Sequence, residues 1–339
     1  MSAERVVVGV ATPKGMSAPY AYFAPATALG YDREEGFELR FFFGGEPGST
    51  ARALCSGECD IACLNTIVGI MGRANEQLPM IAIGSKARRA HRYFSVLPES
   101  AIRQLSDLRG RSIACDFPHL RPLAEAALAE EGVSKHEFQW KDWQGSGMDI
   151  AGMVQPFQAG DVDALFIMDW TEGDAVARGV QLRHLSSKLL NRIRTSSCYW
   201  TTETKLRSQP DLLGRALRVL NKSLTFSFAN PELAIRLMWK THPETKPDVS
   251  SRERVLKHDL EVVKACLKPM ALKRDDPDPR WCAMPANEMV EWQKFLLSSG
   301  AISNMLNLDR LYTSELVEIA NRFDSAAIEN SAVHSNLPV

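Results

Sequence analysis

The stretch LCSGECDIACLNT, residues 54–66, holds Cys55, Cys59 and Cys63 at an even spacing. Either the three thiols are ligands of a metal or cluster, or the segment does something else and they are incidental to it. A second stretch helps to decide. FQAGDVDALFI, residues 157–167, echoes LCSGECDIACL, residues 54–64: Gly57 matches Gly160, Glu58 matches Asp161, Asp60 matches Asp163, and Ala62 falls one place from Ala164. In both, a helical pattern closes on a small residue and a glycine able to take the left-handed conformation that stops a helix. An aspartate then leads into a short apolar strand. Cys55 thus falls near a helix end, Cys59 in the turn and Cys63 in a strand, so they do not share one helical face as metal ligands would. The spacing also departs from the C-x2-C patterns of zinc and bacterial cluster sites. The cysteines read as small buried apolar residues, and neither metal nor cofactor is expected.

The echo extends upstream in the same order. Residues 6–11 (VVVGVA) and 112–115 (SIAC) are short apolar runs of the kind found in buried parallel strands. After each comes an apolar helical stretch ending in EEG, at residues 34–36 and 130–132, and then a second strand, FELRFFF from Phe37 and HEFQWKDW from His136. Each half is strand, helix, strand, helix, strand, the pattern of an open parallel α/β sheet. Two such halves predict two similar lobes.

The bulk numbers agree with this. At 339 residues, 45% hydrophobic and 24% charged, the chain is ordinary globular protein and long enough for two cores. A net charge of -1 supplies no global field for nucleic acid or an anionic membrane, so charge used in binding must be local. No apolar run approaches the roughly 20 residues that span a bilayer, so direct membrane insertion is not expected. The start, MSAERVVVGVATPKG, reads as no export signal as written. Seven cysteines without a framework spacing suit free thiols in a reducing compartment. If Met1 is native the protein is expected in the cytoplasm; if a signal has been removed, in the periplasm.

Taken in order, these segments resemble the ABC-transporter substrate-binding proteins for sulfonates, taurine, nitrate and pyrimidine precursors, with the related thiamine-precursor synthases. The resemblance is carried by residues 23–43 (FAPATALGYDREEGFELRFFF), 54–66, 105–115 (LSDLRGRSIAC), 157–167 and 199–234, the last similar to a return strand and a long helix ending in Asn-Pro-Glu. It covers nearly the whole chain. It implies a two-lobed α/β clamp of the periplasmic-binding-protein type II kind, each lobe an open, mostly parallel sheet flanked by helices, with a ligand cleft between them. Lobe 1 is expected from residues 1–93 and 196–339 and lobe 2 from 94–195, with crossings near 92–96 and 195–200. Ligand is expected where the carboxyl ends of the strands meet helix N-termini.

Candidates for contact with a ligand follow from that placement. Tyr20, in a Pro- and Gly-containing loop after the first strand, offers a ring to stack on a flat ligand. Glu46 lies in the GGEPGST turn, residues 44–50, whose backbone amides could cradle an anion that Glu46 would oppose. Asn65 and Thr66 end the third strand. Among the cations of SKARRAHRYF, residues 85–94, Arg88 is the candidate for a bidentate hold on an acid. In the second half CDFPHLRP, residues 115–122, brings His119 and Arg121 to a proline-fixed helix start. Trp143 precedes the QGSG loop, and Asp169 and Trp170 lie in MDWTE, residues 168–172, where a carboxylate beside a ring would suit a ligand of mixed polarity. The segment RDDPDPRWCAMP, residues 274–285, lacks the glycine and terminal glutamate of a calcium loop and reads as a solvated, proline-stiffened loop.

Two functions stay open. One is a solute-binding protein that captures a small carboxylate, sulfonate or aromatic heterocycle, with a small-molecule ligand and an ABC permease as partners and no nucleic acid. The other is an enzyme on the same clamp. A desulfinase resemblance would place a nucleophilic cysteine where Met16, Ser17 and Ala18 stand. Pyrimidine-precursor synthases would place a lysine and histidine in lobe 1 and clustered cysteines in the middle, whereas the first histidine here is His91 and Cys198 stands alone. A decarboxylase would have Arg88, Arg92 and His119 for holding and protonating an acid. The residues favour binding.

Overall fold

The computed structural model describes residues 4–12, 15–142 and 150–335. Among these, ten strands carry the fold. They are β1 (Glu4–Val10), β2 (Phe37–Phe43), β3 (Ile61–Asn65), β4 (Met80–Ala87) and β5 (Arg92–Val96), followed by β6 (Ser112–Cys115), β7 (Gln139–Lys141), β8 (Ala164–Met168), β9 (Arg183–Leu185) and β10 (Ser197–Thr202). The chain forms two compact α/β units. The first holds the chain up to Arg88, Thr195–Leu256 and the chain from Met270 onward; the second holds Arg89–Arg194 and Lys257–Pro269.

The sheet of the first unit runs β2-β1-β3-β10-β4 and that of the second β7-β6-β8-β5-β9. The two orders are the same order written twice. Strands β1, β2 and β3 are mutually parallel, as are β6, β7 and β8. Each sheet then takes one antiparallel strand, β10 against β3 and β4, and β5 against β8 and β9. Residues 92–96 and 195–200, read from sequence as crossings, are largely these two antiparallel strands.

The repeated turn has the same construction in both units. The helix Pro47–Ser56 stops at Gly57, φ 86°, and the helix Ala151–Ala159 at Gly160, φ 84°. Glu58 N donates to Ala53 O at 3.0 Å and Asp161 N to Pro156 O at 2.9 Å, the closure by which a left-handed glycine satisfies the last carbonyls of a helix. The aspartate that follows is a clamp. Asp60 N donates to Val7 O and its Oδ2 accepts from Val7 N, both at 2.8 Å. Asp163 N donates to Ser112 O at 3.1 Å and its Oδ2 accepts from Ser112 N at 2.8 Å. Each aspartate thereby seats the third strand of its unit on the first.

Packing closes the cores around fully buried Tyr22, Phe23, Tyr199 and Trp200 in the first unit and Phe94, Phe157 and Phe166 in the second. In the helix Pro210–Ala229 the buried Leu213, Leu217, Leu220 and Leu224 recur at the spacing of one helical face. Asn230 then caps the helix Pro231–Thr241 through its Oδ1, which accepts from Leu233 N at 3.0 Å.

Two expectations are corrected. Lys257–Pro269 groups with the second unit rather than with the remaining C-terminal residues. Gly173 in the helix Asp169–Ala177 lets this segment approach so closely that a Cβ there would lie 2.6 Å from Val262 Cα, and His258 Nε2 lies 2.7 Å from Asp174 Oδ1. The loop of residues 274–285 is also less solvated than expected. Cys282, Ala283 and Met284 are buried along the outer side of β4, where Ser85 N donates to Cys282 O at 3.0 Å and Ser85 Oγ to Ala283 O at 2.7 Å. An edge strand leaves backbone groups that need covering, and this loop covers them.

Candidate functional site

In open parallel sheets, ligands meet the carboxyl ends of the strands. In the first unit that edge comprises the ends of β1, β2, β3 and β4 and the start of antiparallel β10. Thr66 opens the helix Thr66–Asn75 but turns inward. It is fully buried, its N donates to Ser196 O at 3.0 Å, and its hydroxyl donates to Thr195 O, 3.4 Å from Cys198 Sγ. Its polar atoms hold the start of β10 in place. Asn65 beside it is half-buried at the helix N-cap, makes no capping bond, and has no side-chain partner among the described residues. Of the pair expected from sequence, Asn65 is the one whose amide is available to a ligand.

The other candidates of this unit are mostly engaged. Tyr20 is buried, with its hydroxyl donating to Ala11 O at 3.2 Å. Glu46 is exposed, and its carbonyl accepts from Thr50 N at 3.0 Å. The glycine before that turn has a packing reason, since a Cβ on Gly44 would collide with Thr50 Oγ1. Arg88 is 2% exposed, and its Nη1 donates to the carbonyls of Asp278 and Arg280 at 2.6 and 3.0 Å. That nitrogen secures the loop over β4. Lys86, two residues earlier, is the cation that the sequence reading passed over. It is half-buried near the end of β4, its Nζ donates to Tyr22 Oη at 2.9 Å, and no carboxylate pairs with it among the described residues. A single charged residue next to the end of a mostly apolar strand, MIAIGSKA, was the available signal.

In the second unit His119 lies in the turn Pro118–Leu120, its side chain outside the described residues, as Trp143 and the QGSG loop are altogether. Arg121 is bound to Asp142 and lies 5.0 Å over the Trp140 ring. Asp169 is buried at the start of its helix, its N donating to His91 O at 3.0 Å and its Oδ1 accepting from Trp170 N at 2.8 Å. Trp170 is half-buried and meets Phe117 edge-on at 6.0 Å.

Asp169 stands near two residues that the sequence reading did not put together. Asp116 follows β6 directly and is 3% exposed; its Oδ2 accepts from Met168 N at 2.7 Å and from Thr171 Oγ1 at 2.8 Å. Arg92 begins β5 opposite Met168, is 4% exposed, and brings Nη1 to 3.9 Å from Asp116 Oδ1. That distance is an ion pair but no hydrogen bond, and both atoms are buried without a hydrogen-bond partner. Burial pushes the Asp116 carboxyl up against the opposing pull of Arg92, and burial lowers the Arg92 guanidinium against Asp116, Cys115 and Asp169.

Residues 19–234, most of the chain, match the family model described as NMT1/THI5 like. The chain belongs to the NMT1/THI5-like family. No curated protein matches this NMT1/THI5-like chain. Among solved structures it is similar to the periplasmic aliphatic sulphonate binding protein SsuA from Escherichia coli, at 18% identity over 91% of this chain and 92% of that one, TM-score 0.63. It is also similar to the desulfurization enzyme DSZB, at 15% identity over 94% and 98%, TM-score 0.62. A third is the Candida albicans CA3427 product, described as having the generic periplasmic binding protein structural fold, at 13% identity over 93% and 97%, TM-score 0.57. At such identities the likeness establishes the fold of this NMT1/THI5-like protein, which binders and an enzyme share.

Proposed function

We propose that this protein is a solute-binding protein that captures a small organic molecule carrying a carboxylate, sulfonate or polar heterocycle at the carboxyl ends of its strands, and delivers it to an ABC-type permease. The observation that carries the reading is Lys86, a half-buried ammonium at that edge with no carboxylate partner among the described residues, in the same edge as the available Asn65 amide. A cation left unneutralised in a partly desolvated place favours an anionic or acceptor group of a ligand. The likeness to a sulphonate-binding protein agrees with this reading. The enzyme reading has less behind it. The loop after β1 offers Met16, Ser17 and Ala18 where a nucleophilic thiol would stand, and burial pushes the Cys59, Cys63, Cys115, Cys198 and Cys282 thiols up to about 12, far from a reactive thiolate.

Native mass spectrometry of freshly purified protein, followed by calorimetric titration with carboxylates, sulfonates and heterocycles, tests the proposal. Binding with unchanged return of the compound, weakened tenfold or more in Lys86→Met, supports it. Conversion of any bound compound, or full affinity in Lys86→Met, overturns it.

A further inference from the structure

The second unit carries a polar pair that a purely anionic ligand would not suit. Arg92 Nη1 and Asp116 Oδ1 face each other at 3.9 Å, buried and without hydrogen-bond partners, although Asp116 Oδ2 is fully used by Met168 N and Thr171 Oγ1. A buried donor and a buried acceptor left unmade are each costly, so the site gains from a group that satisfies both together. Asp169 lies near enough for its charge to act on Arg92. An incoming group that brings only negative charge gains from Arg92 but meets the Asp116 carboxylate 3.9 Å away from it. Phe117 follows Asp116 and Trp170 follows Asp169, and the two rings meet edge-on at 6.0 Å. The segments that bring the carboxylates therefore also bring an aromatic pair beside them.

We propose that Arg92 and Asp116 read a paired acceptor and N–H donor on one edge of a flat ligand, as in a carboxamide, a lactam or an amino-heterocycle, and discriminate against simple sulfonates and carboxylates. Arg92 donates to the acceptor atom and Asp116 Oδ1 accepts from the neighbouring N–H, beside the Phe117–Trp170 pair. The inference rests on the binding function proposed above and narrows its ligand class.

Three probes with the same ring and different edges test it: benzamide, benzoate and benzenesulfonate, titrated into the full chain by calorimetry. Benzamide should bind at least tenfold tighter than the two acids. Asp116→Asn keeps an oxygen for Met168 N and Thr171 Oγ1 but offers an N–H₂ donor where Oδ1 now accepts. It should reduce or invert the benzamide-to-benzoate ratio, which a merely structural role would leave unmoved. Arg92→Lys, which loses the planar fork, should lower that ratio too and serves if Asp116→Asn does not fold. Benzoate or benzenesulfonate binding as tightly as benzamide, or a ratio unchanged in the variant, overturns the inference while the binding function stands. If none of these probes and none of the wider panel binds, both fall.

Discussion

Replacing Asp163 by alanine tests the repeated clamp on which the fold depends. Its Oδ2 accepts from Ser112 N and from Ser112 Oγ, both at 2.8 Å, and Asp163 N donates to the Ser112 carbonyl at 3.1 Å. Alanine keeps the last of these bonds and removes the first two. A hydrogen bond to a charged acceptor contributes about 1.5–3 kcal/mol, so the loss at the start of β6 should be about 3 kcal/mol. Asp163→Asn keeps an acceptor without its charge and should recover about half of that. Asp60→Ala removes one such bond, to Val7 N, and the Lys205 partner at 2.7 Å, so the loss at β1 should be about 2 kcal/mol. A single melting curve mixes the two units. Hydrogen exchange read by mass spectrometry separates them: about 3 kcal/mol corresponds to roughly a hundredfold faster exchange in β6 peptides. Exchange changed by less than about threefold would refute the reasoning. So would Asp60→Ala loosening β6 while sparing β1, because each aspartate is argued to serve its own sheet.

Three further outcomes are expected. Gly69→Ala would drive a Cβ into the indole ring of Trp200, and Trp200 is fully buried; overpacking of about 3 kcal/mol or more should appear as a lowered urea midpoint, and an unchanged midpoint would contradict the packing described. His258, held by Asp174 at 2.7 Å and Asp259 at 3.1 Å, has its pKa raised to about 9, while Asp174 is lowered below its ordinary value. The histidine contribution is whole below pH ~6.5 and lost as pH rises through about 9, and that of Asp174 is lost only as pH falls through its depressed value, so Lys257–Pro269 should be best protected between about pH 4 and 6.5. With His258 38% exposed the effect is about 1 kcal/mol after screening, and intrinsic-rate-corrected exchange that stays flat from pH 6 to 9 would exclude it. A thiol reagent at pH 8 should modify partly exposed Cys55 well before buried Cys59, Cys63, Cys115, Cys198 and Cys282, and prompt reaction of several thiols in the native protein would contradict their burial.

The frame was legible because its devices are local and leave residue-type signatures. A glycine is needed where φ is positive, as at Gly57 and Gly160, and an aspartate three positions later reaches the first strand from that turn. Where Lys257–Pro269 packs was not legible, since an amphipathic helix announces that it buries a face but not against what. The burial of residues 282–284 was hidden for a related reason. A proline- and aspartate-rich loop looks solvated until an edge strand such as β4 needs a cover. Site residues were legible by place and less so by role. Asn65 and Asp169 lie at strand ends as expected and remain candidates, yet Thr66 and Arg88, at similar places, donate to carbonyls. Arg92 and Asp116 are far apart in sequence, and only the sheet order brings β5 and β6 to either side of β8.

That order also shows where the two units differ. The pairings of β1 with β3 and of β6 with β8 make Val8 equivalent to Ile113 and Ile61 to Ala164. Carried along the strands, the same equivalence sets Ala11 beside Asp116 and Thr66 beside Asp169. Ser197, opposite Asn65, corresponds to Arg92, opposite Met168. The elements that make the frame are therefore shared: the glycine stop, the aspartate clamp, and the latch in which Thr66 N donates to Ser196 O and Asp169 N to His91 O, both at 3.0 Å. At the carboxyl edge the same three places hold alanine, threonine and serine in one unit and aspartate, aspartate and arginine in the other. Asp116 Oδ2 and Asp169 Oδ1 have a structural share, accepting from Met168 N, Thr171 Oγ1 and Trp170 N, but buried charge is costly, the frame stands without it in the first unit, and Arg92 Nη1 and Asp116 Oδ1 make no hydrogen bond. On the inference proposed above, recognition of a ligand that carries both a donor and an acceptor accounts for that pair and places specificity at the charged edge of the second unit.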